Sequence, residues 1–419
     1  MMDKNIACII LAAGKSTRMK SEIPKVLHPI CARPMIEYVL DLVNELKIKK
    51  VVAVLGHKHE QVRKFIKPGI QTVIQRRLLG TADAVKQALS SLRNFKGTVL
   101  VLYADNPLLK KDTTAKLLKQ HIQNNQDATL LTADLEKPAG YGRILRDKYS
   151  SICGIIEEKD ADDFQRDIKE INTGIICFKK ASLESALKKV RPNNRKREYY
   201  LTDVIGILYK SGCLVDNVKI GDIQEALGIN SRSELALANS IMHKRINDKF
   251  MQNGVTIVDP DTAFISYGTK IGQDTVIYPF TVMERDVKIG KRCSIGPFCR
   301  LREGTRIENG TKIGNFAEVV RSKIGPNSVS RHVSYLGDSV IGRHVNIGAG
   351  TITANFDGKR KNKTIIKDGA FIGSDSVLVA PIKIGKGAVT GAGSVVLKNR
   401  NVPDGGIVVG VPARRLKRG

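Results

Sequence analysis

The sequence predicts an α/β domain built on a mostly parallel, Rossmann-like sheet, followed by a parallel β-helix. Three observations predict this. In the first half, apolar runs alternate with helical patterns in the order β-α-β-α-β. In the second, aliphatic residues recur every six residues from Ile265 to Val319. Between them, residues 231–254 carry apolar residues at helical spacing after a serine. The boundaries are therefore set at 1–230, 231–254 and 255–419. With 419 residues, 42% of them hydrophobic, the chain can build two or three ordinary cores.

"IACIILAAG" (6–14) reads as a buried strand that ends at Gly14. "PMIEYVLDLVNELKI" (34–48) is an amphipathic helix, "KVVAVLG" (50–56) a second strand, and "GTADAVKQALSSL" (80–92) a second helix. "GTVLVLYAD" (97–105) is a third strand, with Asp105 at its carboxyl end. Such runs fit a parallel sheet covered on both faces, which binds ligands outside the carboxyl ends of its strands. Gly14 and Asp105 both fall there.

Ile265, Ile271, Ile277, Met283, Ile289, Ile295, Leu301, Ile307, Ile313 and Val319 form an unbroken six-residue series. After a five-residue step it resumes at Ile324, then at Ile341 and Ile347. Neither an α-helix nor a hairpin has this period. A triangular coil of three hexads does, with each aliphatic residue pointing inward. "TANFDGKRKNKT" (353–364) breaks the series and reads as a polar, basic loop on one face. Flat prism faces favour self-association as a trimer.

The charge is +28, from 69 Lys+Arg against 41 Asp+Glu. The basic residues are spread along the chain, aromatics are 5%, Trp is absent and no nucleic-acid motif occurs, which argues against a nucleic-acid partner. A positive field suited to phosphorylated substrates fits better. The seven cysteines form no C-x-x-C pair, as expected of reduced thiols. The apolar run at 6–14 is too short to span a membrane and lacks the flanks of a signal peptide. A cytoplasmic protein without a membrane partner is expected.

"ILAAGKSTRMKSEIPKVL" (10–27) holds neither a G-x-G-x-x-G nor a Walker loop. Its small residues leave room for a ligand at the backbone, and Lys15, Arg18 and Lys25 can neutralise a triphosphate. An ordinary turn with solvated lysines reads equally well. Asp105, at the end of a very apolar strand, is a natural ligand for Mg²⁺, which favours one or two carboxylates plus phosphate oxygens. A helix-capping aspartate is the plainer alternative.

"LAAGKSTRM…PKVLH", "LGTADA", "YADNPL", "GYGRI", "IIEEKDA", "EINTGI", "EYYLTD" and "GINSRSEL" occur in this order ahead of the hexads. Together they resemble the bifunctional N-acetylglucosamine-1-phosphate uridylyltransferase / glucosamine-1-phosphate acetyltransferase family over nearly the whole chain. The resemblance implies a nucleotidyltransferase-type sheet and a left-handed β-helix. It also implies the substrates UTP, N-acetylglucosamine 1-phosphate, glucosamine 1-phosphate and acetyl-CoA, with Mg²⁺ as cofactor and a role in supplying cell-wall precursors. Leu11, Ala12, Ala13 and Gly14 would line the uridine and phosphate pocket, with Tyr103 and Ala104 beside it. Arg18 and Lys25 would hold the triphosphate, Gln75, Gly80 and Thr81 would select uracil, and Asp105 and Asn230 would bind Mg²⁺. Gly142, Glu157 and Asn172 would hold the amino-sugar.

In the second half, "IGPFCRLREG", "HVSYLGD", "VNIGAGTITANFDG" and "KTIIKDGAFIGSDS" resemble the acetyltransferase. By that match His332 would be the general base, and neutral imidazole suits that task near pH 7. Arg302, Tyr335, Asn346, Asn355 and Phe356 would grip the sugar phosphate. Ala349, Ser374 and Ala392 would contact acetyl-CoA. The chain departs from the family at Ala104, where glycine is usual, and at Val320, where a phosphate-binding lysine is usual. Arg331, Phe356 and Gly410 also differ, from a glycine, a tyrosine and an arginine. Arg321 or Arg331 can replace the missing lysine charge. Two alternatives stay open: a uridylyltransferase whose β-helix serves assembly or another acceptor, and a non-catalytic subunit of the same shape.

Overall fold

The computed structural model describes residues 5–15 and 17–416. By internal contacts the chain divides between Asn239 and Ser240. This point lies inside the helix expected over 231–254, which runs Arg232–Gln252.

Besides a small antiparallel pair, Pro29–Ile30 against Arg33–Pro34, the first unit is built on a nine-stranded sheet. Its strands are β1 (Ile6–Ala12), β2 (Lys50–Leu55), β3 (Gln71–Ile74), β4 (Thr98–Tyr103), β5 (Ala128–Asp134), β6 (Gly142–Arg146), β7 (Ile152–Ile156), β8 (Glu170–Lys179) and β9 (Val215–Lys219). The main helices are α1 (Met35–Glu45), α2 (Thr81–Leu89), α3 (Lys111–Gln123), α4 (Lys180–Leu187), α5 (Asp203–Lys210) and α6 (Arg232–Gln252). The strand order is β9-β5-β8-β4-β1-β2-β3, with β6 and β7 attached beside β8. β1 pairs in parallel with β2 and β4. The exceptions to the expected parallel sheet are β8, antiparallel to both β4 and β5, and the attached pair, in which β6 runs antiparallel to β8 and to β7.

Every residue of β1 is buried, because its two faces feed two cores. Cys8 and Ile10 pack with α1 and α3 through Val39, Leu40 and Leu117. Ile9 and Leu11 pack with α2, α4 and α5 through Val85, Leu183 and Ile205. Side chains alternate across a strand, so one continuous apolar run supplies both layers. The parallel strands deliver Ala12–Gly14, Gln75 and Tyr103–Asp105 to one end of the sheet.

The second unit is a parallel β-helix of two- to four-residue strands in three sheets. Ile277 lies opposite Ile295, Met283 opposite Leu301, and Ile289 opposite Ile307. Each partner lies one coil on, as three hexads require. The inward column is buried, from Ile265 and Ile277 to Ile313 and Val319, and each full burial contributes about 1.5–3 kcal/mol. Ile271 packs against this core while only partly buried. The arrangement is consistent with the left-handed hexapeptide-repeat form.

The hexads do not stop where the aliphatic residues do. Ser330 lies opposite Ile347, and Thr390 opposite Ile372. Ser330, Leu336, Thr353 and Thr390 are all buried. Inward hydroxyls keep their bonds: Thr353 Oγ1 accepts from the Gly337 amide at 2.8 Å, and Ser330 bonds Ser334 at 2.8 Å. The basic insertion forms a loop closed by a bridge between Phe356 and Lys361. Asp357 Oδ1 fixes its tip by accepting from the Lys359 and Arg360 amides at 3.0 and 2.8 Å.

Candidate active sites

At the carboxyl end of the first sheet lies a cleft of about 580 Å³. Of the residues anticipated above, Leu11, Ala12, Ala13, Gly14, Arg18, Lys25, Gln75, Gly80, Thr81, Tyr103 and Asp105 line it. Ala104 turns its methyl into the core, fully buried, so the departure from glycine is absorbed away from any ligand. Lys196 and Glu198 also line the cleft, and sequence reasoning did not anticipate them. Their segment is held over Gly80: the Tyr199 amide donates to Leu79 O at 2.8 Å, and the Ala82 amide donates to Tyr199 O at 2.9 Å. Gly80 has φ +117, and a Cβ there would meet Tyr199 O at 2.4 Å, so only glycine allows the approach.

The centre of this site is ionic. The Lys25 ammonium is paired with the Asp105 carboxylate and donates to Asn230 Oδ1 at 2.8 Å. Three residues far apart in sequence thus meet at one nitrogen. The Ile229 amide donates to Asp105 O at 3.0 Å, which joins the two oxygen-bearing loops. Asn230 is fixed by the start of α6. Ser231 Oγ accepts from the Glu234 amide at 3.2 Å, while Glu234 Oε2 accepts from the Asn230 and Ser231 amides at 2.6 and 2.8 Å. This is a capping box extended by one residue. Arg232, the first residue of α6, donates to Met19 O at 3.3 Å and so steadies the segment after Arg18.

Gln75 is 4% exposed and donates from Nε2 to Gly80 O at 3.0 Å and to Asp83 Oδ2 at 2.7 Å. Both amide hydrogens are thereby used, and its carbonyl oxygen is left as an acceptor. Tyr103 is hydrogen-bonded to Thr81, and burial, with the nearby charges of Glu157 and Asp105, pushes its phenol well up. A Cβ on Gly174 would meet the Tyr103 ring at 2.9 Å, so the left-handed glycine of β8 (φ +85) makes room for that ring.

Gly142, Glu157 and Asn172 lie on the antiparallel side. Asn172 pairs in register with Gly142 across β8 and β6. A Cβ on Gly142 would stand 3.7 Å from the Glu157 carboxyl carbon, which places the three together. Burial raises the Glu157 carboxyl, and the Thr202 hydroxyl, donating at 3.0 Å, opposes that shift. Arg143, next in β6, and Glu158, two residues past the end of β7, form an ion pair at 2.6 Å with Arg143 fully buried. Tyr141 bonds the Gly228 backbone, tying this side to the loop that carries Asn230.

Asp105 Oδ and Asn230 Oδ1 are hard oxygen donors, the kind Mg²⁺ prefers. Among the described residues there is no cluster of three or more His, Cys, Asp or Glu that could cage a metal unaided. One carboxylate and one amide oxygen already converging on a cation fit a magnesium that completes its shell with phosphate oxygens and water.

In the second unit the anticipated residues are arranged by register. Ser330, Ile347, Ile372 and Thr390 are successive partners, so His332, Ala349, Ser374 and Ala392, each two residues later, stack along one corner. Hydrogen bonds follow the column: the Asp375 amide donates to Ala349 O at 2.6 Å, and the Gly393 amide to Ser374 O at 2.8 Å. Gly410 continues it, two residues beyond Val408, the partner of Thr390. His332, Ser374 and Ala392 are exposed, as a ligand lying along the corner requires.

Arg302, Tyr335 and Asn355 belong to the neighbouring sheet. Arg302 is paired with Glu318 at 2.9 Å, and Glu318 lies opposite Tyr335. A Cβ on Gly337 would meet Asn355 Nδ2 at 2.6 Å and the Tyr335 hydroxyl at 2.8 Å, so both polar tips converge over that glycine. Asn346 lies on the other adjoining sheet, opposite Val329, and Phe356 stands 60% exposed on the insertion. No bond joins His332 to these side chains within the described residues. Val320 is buried, and Arg321 grips Asp338 with two bonds of 2.7 Å, holding that carboxyl below its usual range. Arg321 is thus committed to Asp338, while Arg331 is exposed and forms no ion pair among the described residues.

Residues 8–170 match the MobA-like NTP transferase domain family, and residues 268–303, 286–321 and 363–398 match the bacterial transferase hexapeptide family. A Geobacillus sp. (strain WCH70) relative called bifunctional protein GlmU is 43% identical, over 93% of this chain and 92% of its own length. Proteins of the same name from Thermosipho africanus and Alkaliphilus metalliredigens are 44% and 39% identical, over 96% and 99% of this chain and 94% and 97% of theirs.

Proposed function

The chain belongs to the family of the bifunctional GlmU proteins, a uridylyltransferase joined to an acetyltransferase, and from that premise we propose how its own residues divide the work. The N-terminal cleft transfers UMP from UTP to N-acetylglucosamine 1-phosphate and releases pyrophosphate. The sugar phosphate oxygen attacks the α-phosphorus in line. The P–O bond to pyrophosphate breaks, and no protein nucleophile takes part. The observation that carries this reading is the convergence of Asp105 and Asn230 on the Lys25 ammonium.

That ammonium occupies the place a divalent cation would take. Bound there, magnesium would supply charge neutralisation for the phosphates. Lys25, released from its carboxylate, turns to the triphosphate together with Arg18. The backbone of Leu11–Gly14 seats the nucleotide, and the free carbonyl of Gln75 accepts from the imide N–H of uracil. Gly142, Glu157 and Asn172 hold the sugar, so Tyr103 stands between the two substrate halves. Positioning and electrostatics supply the rate.

In the C-terminal unit His332 takes the proton from the amine of glucosamine 1-phosphate as that nitrogen attacks the acetyl carbonyl. The C–S bond to coenzyme A breaks, and the thiolate leaves. Acetyl-CoA lies along the Ala349, Ser374 and Ala392 corner, whose small side chains leave room for it. Arg302, Tyr335, Asn346, Asn355 and Phe356 hold the sugar phosphate. Three copies of the chain, assembling as a trimer, would enclose a corner that a single chain leaves open. A cytoplasmic place of work fits these soluble substrates, and no helix among the described residues is long and apolar enough to cross a membrane.

A paired assay tests the division. Pyrophosphate release from UTP, Mg²⁺ and N-acetylglucosamine 1-phosphate reports the first site. Free thiol from acetyl-CoA and glucosamine 1-phosphate reports the second. Activity in both arms is expected. Silence in the second alone leaves a uridylyltransferase with a structural β-helix, and silence in both removes the reading.

A further inference from the structure

The opposite end of the N-terminal sheet carries a second pocket. The starts of β2 and β3 and the end of α2 enclose about 420 Å³. Lys49, Lys50 and Arg93 line it, with Ser90, Ser91 and the ring of Phe95, and no carboxylate stands in its wall. None of the three cations is ion-paired among the described residues. Lys50 Nζ lies 5.1 Å from the centroid of the buried Phe95 ring, which gives the ammonium a fixed seat. A helix carboxyl end attracts one cation through its dipole, and Arg93 answers that need. Lys49 and Lys50 come from the strand side, so the helix end does not account for them. A cavity lined by charge of one sign focuses the field and concentrates counter-ions.

We propose that this pocket binds a phosphorylated metabolite, and that its occupancy is felt in the catalytic cleft. The volume suits a ligand of hexose-phosphate to nucleotide size, since small-molecule pockets begin near roughly 300 Å³. The cations and the Ser91 hydroxyl take the phosphate, the Ser90 hydroxyl being spent on Gln87 O at 2.6 Å, and the Phe95 side takes the apolar face of the rest. Two rigid elements have one end in each site. β3 begins at Gln71 in the pocket wall and ends just before Gln75 in the cleft. α2 begins at Thr81 in the cleft and ends at Leu89, beside Ser90. A ligand that shifts either element displaces residues proposed to read uracil, so the coupling rests on that reading of the cleft. The binding itself does not.

The test uses the full-length chain with the cleft disabled by Arg18→Ala/Asp105→Ala. It is titrated calorimetrically with glucose 6-phosphate and, separately, with inorganic pyrophosphate. One saturable site per chain is expected, and adding Lys49→Ala/Lys50→Ala/Arg93→Ala should weaken it by at least about tenfold. Tighter binding of glucose 6-phosphate supports a sugar phosphate as the ligand. Tighter binding of pyrophosphate overturns the metabolite in favour of the inorganic product. No saturable site, or one that the triple substitution leaves intact with an unchanged melting curve, overturns the pocket. In the chain with an intact cleft, glucose 6-phosphate should shift the KM for UTP by about threefold or more, and the triple variant should lose that shift. Binding without any shift overturns the coupling.

Discussion

Lys25, Asp105 and Asn230 reach one another from three distant stretches of chain, whereas His332, Ala349, Ser374 and Ala392 repeat one position on successive coils. The first site is made by convergence. Strand ends, a capped helix and backbone ties fix side chains whose charges offset each other before any ligand arrives. The second is made by repetition, and its register aligns exposed groups in a row without closing over them. The cores differ in the same way. The N-terminal unit buries Arg33, Arg143, Lys180, Glu225, His28 and His121, while the β-helix buries no Asp, Glu, His, Lys or Arg among its described residues. A convergent site needs charges held inside a fold. A repetitive one needs only hydroxyls where its aliphatic column lapses.

The sharpest way to break this comparison is to remove one charge from the convergent site. Asp105→Ala leaves Lys25 without its carboxylate and should lower UMP transfer by on the order of 10³-fold, with acetyl transfer untouched. Loss of both activities would mean that the two units do not act separately. Substituting His332 with Ala is the converse, and acetyl transfer should fall by about 10²-fold while pyrophosphate release stays at its wild-type rate. A variant that keeps its acetyl transfer removes His332 from the base role.

Acid should separate the cores. His121 is buried against Thr129 at 3.0 Å, and burial lowers its pKa from 6.5 to about 4. Its neutral form suits the fold, so its contribution is complete above pH 6.5 and is lost as pH falls towards 4. By pH 5 the N-terminal unit should lose about 2 kcal/mol through this group. Hydrogen exchange at pH 5 should therefore open β4 and β5 before the Ile277–Val319 coils, and His121→Gln should narrow the gap. Simultaneous opening of both regions would contradict the account. A smaller effect is expected from Arg331→Ala. If this exposed guanidinium replaces the lysine missing at Val320, the KM for glucosamine 1-phosphate should rise about tenfold, the value of one charge-assisted contact. An unchanged KM discards Arg331 from that role.

The β-helix was legible in the aliphatic series from Ile265 to Val319 and at Ile324, Ile341 and Ile347. Beyond it, Ser330, Thr353 and Thr390 at inward positions and the insertion at 353–364 broke the spacing and hid Leu336, Ile372 and Leu378. Hydropathy cannot distinguish an inward hydroxyl bonded to its neighbouring coil from a solvated one. In the N-terminal unit the strands β1, β2 and β4 stood out as apolar runs. The reversed direction of β8 did not, because direction is set by tertiary pairing. The cleft was legible through its short motifs. Lys196 and Glu198 were missed because only the folded chain brings their segment over Gly80. The use of Asp105 by Lys25 was equally hidden, since spacing alone does not show which cation a carboxylate will hold.

The most direct measurement is binding of Mn²⁺, as a paramagnetic substitute for Mg²⁺, to the full chain in the presence of UTP. One tightly held ion per chain is expected, with the signal lost in both Asp105→Ala and Asn230→Ala. An ion that binds as tightly in both variants would contradict the account, because the oxygens that now hold the Lys25 ammonium would then have no part in holding a metal.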